Sequence, residues 1–335
     1  MFKYIKPAFL CIMIMTISLL SGCQKKVNTA NRTEEVLGTI ITGTIYGTQN
    51  EDQLMTALDA AFDRATELEA IFSAKLPDSE LTIVNESAFS APVKISKELY
   101  TVLESSLYYA TLTGGAFDPT LGNLIGLWGI GTENAAVPDS ESLEAYINQR
   151  NYENVVLDKN EQTVFFTSDD FSLDLGAIAK GYVADEMKRI LEENYDITSA
   201  LLNLGGNVIT IGSKTDGSPW NIGIANPDEP TSSITTISIT NQTVVTSGNY
   251  ERYFEEDGIR YHHILDAATG YPADNGLISS TIITDSSIDA DALSTATFVM
   301  GLDASMELIE ALDNVEAIFI TDEGKILSTE GLSFR

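Results

Sequence analysis

Across 335 residues the chain carries 49 Asp and Glu against 19 Lys and Arg, a formal net charge of −30, and 44% of its residues are hydrophobic. Such acidity excludes a nucleic-acid partner, which needs a basic footprint, and it gives no electrostatic grip on anionic lipid. The two cysteines, Cys11 and Cys23, both lie near the N-terminus, so the body has no disulfide framework and no thiol chemistry.

Lys3 and Lys6 precede an apolar run from Ala8 to Leu20, and Leu20-Ser21-Gly22-Cys23 follows. This pattern reads as a lipoprotein signal over residues 1–22, with Cys23 as the lipidated first residue of the mature protein. The run is too short for a good membrane span, and acyl chains supply the anchor at about 0.8 kcal/mol per buried CH₂. The expected location is the outer side of the cytoplasmic membrane. Residues 23–35 are polar and aperiodic after the Cys and read as a tether. Residues 36–335 are expected to form one body, since no linker, repeat or low-complexity tract interrupts them.

Within that body, residues 36–46 are rich in β-branched side chains and predict a strand. Leu54, Leu58, Ala61, Phe62, Ala65, Leu68 and Phe72 then recur at helical spacing, predicting a helix over 51–72. A second helix is expected over 97–112, capped by Ser96 and stopped by Gly114-Gly115, and a third over 140–149. A hairpin is expected around Asp158-Lys159-Asn160, with strands 154–157 and 163–167, before a helix over 177–194. Strands follow near 199–203, 207–211, 220–225, 233–239, 243–246, 260–265 and 278–284. Helices over 288–300 and 303–312 and a strand over 315–320 close the chain. Helices and antiparallel strands in blocks predict an α+β fold. No Rossmann fingerprint or P-loop is present.

Four local patterns could carry chemistry. His262 and His263 are the only histidines, and strand geometry points neighbours to opposite faces, so at most one serves a given site as base. Asp291 and Thr295, four residues apart, share one helix face and are hard oxygen donors suited to Mg²⁺. In Leu173-Asp174-Leu175-Gly176-Ala177-Ile178-Ala179-Lys180, a strand end meets a helix start, where free N–H groups and one ammonium suit a phosphate. Gly114-Gly115, Gly205-Gly206, Gly248 and Gly270 mark tight turns. Each pattern alone also reads as ordinary structure. With no thiol and two adjacent histidines, catalysis must lean on a metal.

The stretches LGT (37–39), FSAKLPDSEL (72–81), GGAFDPT (114–120), LDLGAIAKGYVAD (173–185), NLGGN (203–207), WNIGIANP (220–227), TSGNYERYF (246–254), HILDAATGYP (263–272) and DADALSTATFVMG (289–301) stand in this order. Together they resemble the ApbE-like FAD:protein FMN transferase family, whose members are often exported lipoproteins. The resemblance implies a T-fold-related α+β fold of largely antiparallel sheets packed with helices. It implies FAD as substrate, Mg²⁺ as cofactor and exported electron-transfer proteins as flavin acceptors. The implied metal ligands are the Ala177 carbonyl and the Asp291 and Thr295 side chains. FAD contacts are implied at Leu37, Lys75, Ala116, Phe117, Asp118, Asp174, Lys180 and Leu265. His263 is the implied catalytic group, with Asp266 next.

Two positions depart from the family pattern. Lys75 stands where an aromatic residue often stacks on the flavin, so the stacking partner stays open at this point. Ala267 replaces a Pro and is expected to be tolerated. Residues 291–297 also loosely resemble the acceptor motif that these enzymes modify, which raises self-flavinylation beside the reading as a metal site on a buried helix. Two other activities fit the same motifs: Mg²⁺-dependent hydrolysis of FAD to FMN and AMP, and flavin binding without catalysis.

Overall fold

A computed structural model describes residues 26–147 and 151–332. The signal segment 1–22 and Cys23 lie outside the described residues. Among the described residues no helix is long and apolar enough to cross a membrane.

An eight-stranded sheet organises the chain. With strands numbered in chain order, it contains β1 (Asn28–Val36), β2 (Thr39–Gly47), β6 (Ser199–Leu204), β7 (Asn207–Ile211), β10 (Thr243–Gly248), β13 (Leu277–Thr284), β14 (Glu316–Thr321) and β15 (Ile326–Ser328). They lie side by side in that order, and every neighbouring pair is antiparallel. The α+β architecture expected from the sequence is therefore found. A smaller sheet joins β3 (Val93–Lys94), β4 (Val155–Asp158) and β5 (Thr163–Phe166).

Alternation along the strands puts a different core on each sheet face. Val245, Ile282, Ala317 and Phe319 point into the main core. Their neighbours Val244, Ile283, Ile318 and Ile320 point the other way, onto Trp220, Ile222, Ile224, Ile237 and Ile239. Those residues belong to a hairpin of β8 (Trp220–Asn226) and β9 (Glu229–Ile239). Burial on both faces explains why these strands read as continuous apolar runs.

The main core is closed by three helices, α1 (Glu51–Phe72), α6 (Ala179–Tyr195) and α7 (Ser287–Met300), and also takes in α3 (Lys97–Leu112). Asn50 and Gln53 form a capping box at the start of α1, satisfying two otherwise orphaned donors. Leu54, Leu58 and Phe62 on its inner face are fully buried, each contributing about 1.5–3 kcal/mol. Shorter helices are α2 (Glu80–Ser87), α4 (Gly122–Trp128), α5 (Ser140–Glu144) and α8 (Leu302–Glu310). α4 and α5 form a satellite cluster with Leu265, and β11 (Tyr253–Glu256) and β12 (Ile259–His262) make a separate hairpin against it.

Four expectations need correction. Residues 28–35 are strand β1 and not tether. Their inward positions include Ala30 and Arg32, whose guanidinium lies 4.9 Å from the Phe62 ring centre, so the buried face looked polar in sequence. The strand expected over 36–46 is cut at Leu37 and Gly38, where φ is 56° and 64°, the two-residue turn that joins antiparallel strands. The helix expected over 140–149 is described only over Ser140–Glu144, and residues 148–150 lie outside the description. The strand expected over 260–265 stops at His262, because the Ile264 N–H turns back to His262 Nδ1.

Candidate active site

One end of the main sheet gathers the turns that the sequence marked. The β1–β2 turn at Leu37-Gly38, the β6–β7 turn at Gly205-Gly206 and the exit of β10 at Gly248 all lie there. Arg252 ties two of these segments by donating to the Gly38 carbonyl at 3.2 Å. An added Cβ at Gly206 would face Glu251 Oε1 at 3.7 Å. Glu251 is exposed and His263 half-buried, and both lie near the charge of Lys180 from another segment, so this end of the sheet is the candidate cleft.

The two helices beside this cleft cap each other. α6 begins at Ile178 without a side-chain cap of its own, and the N–H of Gly181 donates to Asp291 Oδ2 at 2.9 Å. α7 likewise has no side-chain cap from Ser286. Asp185 of α6 accepts instead from the Ser287 and Ile288 N–H groups at 3.0 and 2.9 Å. Gly181 permits the approach, since an added Cβ there would lie 2.2 Å from the Ser287 carbonyl oxygen. Each carboxylate also sits at a helix N-terminus, where the helix dipole favours negative charge. Burial still pushes the Asp185 carboxyl up to about 6, against the pull of those two N–H groups.

Asp291 is 2% exposed, and the Lys180 ammonium lies 3.0 Å from Oδ1 and 3.3 Å from Oδ2. Lys180 also donates to the Gly176 carbonyl at 3.0 Å. Because the Gly181 N–H goes to Asp291, it does not close a helical turn on the Ala177 carbonyl. Thr295 lies one turn beyond Asp291 on α7, with Oγ1 3.3 Å from Ser247 Oγ. No cluster of three His, Cys, Asp or Glu side chains occurs among the described residues. The donor set here is one carboxylate, one hydroxyl and one carbonyl, all hard oxygens. It fits Mg²⁺, which keeps several waters and takes few protein ligands.

The two histidines separate as strand geometry requires. His262 is buried, with Nε2 3.0 Å from the Ala273 carbonyl and Nδ1 accepting from Ile264 N–H. Both its nitrogens are used, and it is structural. His263 sets Nδ1 3.3 Å from the Arg252 carbonyl. A carbonyl only accepts, so Nδ1 carries the proton and Nε2 keeps a free lone pair. Desolvation, then the charges of Arg252 and Lys180, push His263 down to about 3. Glu251 moves the other way. Desolvation and Asp291 push it up to about 7, with Lys180 and Arg252 opposing.

The other sequence-marked residues divide. Ala116, Phe117 and Asp118 are stitched to the α6 loop by the bond from Asp174 N–H to the Pro119 carbonyl, 2.9 Å. Asp174 Oδ1 accepts from Gly176 N–H at 2.8 Å and holds that loop. Asp118 accepts from Thr120, and burial pushes its carboxyl up to about 6. The Leu37 N–H donates to Glu69 Oε1 at 2.8 Å. Leu265 is buried in the satellite cluster. Asp266 Oδ1 accepts from Ala268 N–H, so this carboxylate braces its own turn. Lys75 is exposed on the loop after α1, and among the described residues no aromatic ring is stacked on it.

Glu251, Arg252, Gly181 and Asp185 were not singled out in the sequence, although all four lie inside the quoted stretches TSGNYERYF and LDLGAIAKGYVAD. Their signal was a helix start lacking a cap residue and a strand end running into charges. A cavity of about 450 Å³ lined by Gln49, Asp196, Ser199 and Lys214 lies at the opposite end of the sheet and contains none of these groups.

Known proteins resemble this chain in sequence and fold. The sequence model of the ApbE family matches residues 37–319. The FAD:protein FMN transferase of Treponema pallidum is 37% identical over 93% of this chain and 90% of that protein. The FAD:protein FMN transferase of Vibrio cholerae is 31% identical over 93% of this chain and 94% of that protein. Among solved structures, the ApbE protein of Thermotoga maritima superposes with a TM-score of 0.83 at 34% identity, covering 91% of this chain and 98% of that one. The flavin transferase ApbE of Vibrio cholerae gives a TM-score of 0.79 at 28% identity, with the same coverage.

Proposed function

The chain belongs to the ApbE family, and from that premise we propose that it transfers FMN from FAD to a Thr or Ser hydroxyl of another protein, releasing AMP. The observation that carries this reading is the α6–α7 junction. There a buried carboxylate pairs with an ammonium and takes the Gly181 N–H, which leaves the Ala177 carbonyl outside the helical ladder.

Ala177, Asp291 and Thr295 would hold Mg²⁺, which would neutralise charge on the pyrophosphate and on the leaving phosphate. Lys180 and Arg252 bring positive charge to the same cleft. The acceptor hydroxyl attacks the FMN-side phosphorus, the bond from that phosphorus to the bridging oxygen of AMP breaks, and AMP leaves as its anion. His263 Nε2 takes the hydroxyl proton as the new phosphoester forms. The positive end of the α6 dipole favours the phosphates, although the Gly181 N–H itself is taken by Asp291.

Export belongs to the same proposal. The residue pattern over 1–23 supports a lipid anchor on Cys23 and exported electron-transfer proteins as acceptors. Cys23→Ala should then release the protein from the membrane fraction.

The test mixes purified protein, FAD, Mg²⁺ and an FMN-binding domain of such an electron-transfer protein, and follows intact mass. The acceptor should gain one FMN as AMP appears. Free FMN with an unmodified acceptor would sink transfer and leave hydrolysis. Asp291→Ala should abolish both products.

A further inference from the structure

We infer that the free edge of β11 is the docking rail for the acceptor: an extended acceptor segment pairs with it and so delivers its hydroxyl to the cleft. The inference rests on the transfer reading above and adds where the partner protein binds.

β11 and β12 form a sheet of two strands only, in the register Tyr253↔His262, Phe254↔Tyr261, Glu255↔Arg260 and Glu256↔Ile259. The His263 N–H donates to the Arg252 carbonyl at 3.0 Å, so pairing extends one residue past the ladder. Antiparallel pairs alternate between bonded and non-bonded positions. Arg252, Phe254 and Glu256 therefore bond inward, and the N–H and C=O of Tyr253 and Glu255 point outward. Among the described residues nothing bonds to those outward groups. Tyr253 and Glu255 are both exposed.

An isolated hairpin is marginal in water, and this one is braced on one face. Phe254 and Tyr261 stack at 5.3 Å, and Tyr261 lies 5.5 Å from Trp128. Trp128 is fixed by its Nε1 donating to the Gly270 carbonyl at 2.8 Å. The result is a firm strand with one open edge. Proteins commonly guard such edges with charge. Glu255, Glu256 and Asp257 serve that purpose here and leave an acidic tip, against which Arg260 is the one cation. A partner segment with basic residues toward the tip complements that charge, whereas a second copy of this acidic edge does not.

Continuity with the cleft gives the rail its purpose. β11 starts directly after Glu251 and Arg252, and β12 ends directly before His263. At about 3.3 Å per residue, a segment paired opposite Tyr253 and Glu255 needs only one more residue to draw level with Arg252 and its partner His263. The main-chain bonds give affinity without demanding a fixed sequence, as in other strand-addition complexes.

The test uses the full chain with Glu255→Pro. Proline removes the outward N–H and leaves the inward ladder intact, as edge strands tolerate. Glu255→Ala separates the side chain from the backbone. For Glu255→Pro the KM for the acceptor domain should rise tenfold or more, with the melting temperature and the FAD affinity, read by flavin fluorescence, unchanged. Glu255→Ala should stay within about twofold, the range that loss of an exposed ion pair allows. An unchanged acceptor KM in Glu255→Pro overturns the inference. So does a parallel loss of FAD affinity, which would make the hairpin part of the flavin site. A native dimer that Glu255→Pro converts to monomer overturns it too, in favour of pairing between copies. Free FMN and an unmodified acceptor with the native chain would instead overturn the transfer reading, before any variant is compared.

Discussion

Gly181→Ala tests the helix junction on which the site depends. An added Cβ would lie 2.2 Å from the Ser287 oxygen, 2.7 Å from its carbonyl carbon and 2.6 Å from Ile288 Cα. All three are backbone atoms, so no side chain can rotate away. Ordinary contact is about 3.5–4 Å, so α7 must retreat by about 1 Å. Overpacking of this kind costs about 1–3 kcal/mol. The two bonds from Asp185 to the start of α7 stretch as well, each worth about 1 kcal/mol. A loss near 3 kcal/mol lowers the melting temperature by about 4–5 °C in a chain of this size. Asp291 and Thr295 ride on α7, and a misplacement of about 1 Å can lower turnover about 100-fold. The assays are thermal unfolding and single-turnover FAD cleavage across a Mg²⁺ titration. Gly126→Ala is the control, because α4 leaves open space at that position, and alanine should be neutral or stabilising there. Native melting and native turnover in Gly181→Ala would refute the account of the junction.

Four further outcomes follow from the charges and burial around the cleft. Asp185 is pushed up to about 6 from 3.8, so between these values the folded chain holds a proton that the unfolded chain has lost. Its contribution therefore weakens stability as pH rises through that window, by up to about 3 kcal/mol. Asp185→Asn should lack that part of the slope in denaturant melts, and an unchanged slope would refute the assignment. His263 is pushed down to about 3 by desolvation and neighbouring charge, so its imidazole should not titrate between pH 5 and 8 by NMR in the substrate-free protein. Glu251 gains its charge near pH 7 and then repels the pyrophosphate. FAD affinity should thus fall about fivefold from pH 6 to 8, a small effect because Glu251 is open to solvent, and Glu251→Gln should abolish the change. Thr297 is fully buried and donates to the Leu293 carbonyl, so incubation with FAD should add no FMN mass to this chain itself.

Periodic patterns made most of the fold legible. The helices over 51–72 and 97–112 were readable to the residue, because their apolar stripes are complete and Ser96 caps the second. Strand β1 was not, because Arg32 and Ala30 fill inward positions that apolar residues usually take. The short elements α2, α4, β3 and β11 carry too few residues for a period to show. Single motifs gave no more than a phosphate-like helix start and a hard-oxygen pair, and it took their order along the chain to join them. Sequence spacing cannot show that Asp291 caps α6 while Asp185 caps α7, since each bond spans more than 100 residues. The electrostatic role of Glu251 was hidden for a similar reason: its proton affinity is set first by desolvation and then by charges that include Lys180 and Asp291, which arrive from other elements.

On the proposed mechanism, His263 would keep the site unreactive until it is loaded. Without substrate, desolvation first and then the charges of Arg252 and Lys180 hold the imidazole neutral and a poor base, near 3. Those same cations are what an otherwise acidic protein offers to a pyrophosphate. When the anion arrives, its charge offsets theirs at the imidazole. One unit of negative charge about 5 Å away contributes about 3 kcal/mol at an effective dielectric near 20, equivalent to roughly two pH units of basicity. On the proposed mechanism, the imidazole would therefore accept a proton more readily while FAD is bound than in the free protein. Glu251 responds in the same direction and takes up a proton, so it stops repelling the phosphates at that moment. A chain with this much negative charge therefore does not need a broad basic surface to receive an anionic substrate. It needs two cations beside one buried carboxylate, and neighbours whose protonation follows the substrate's charge.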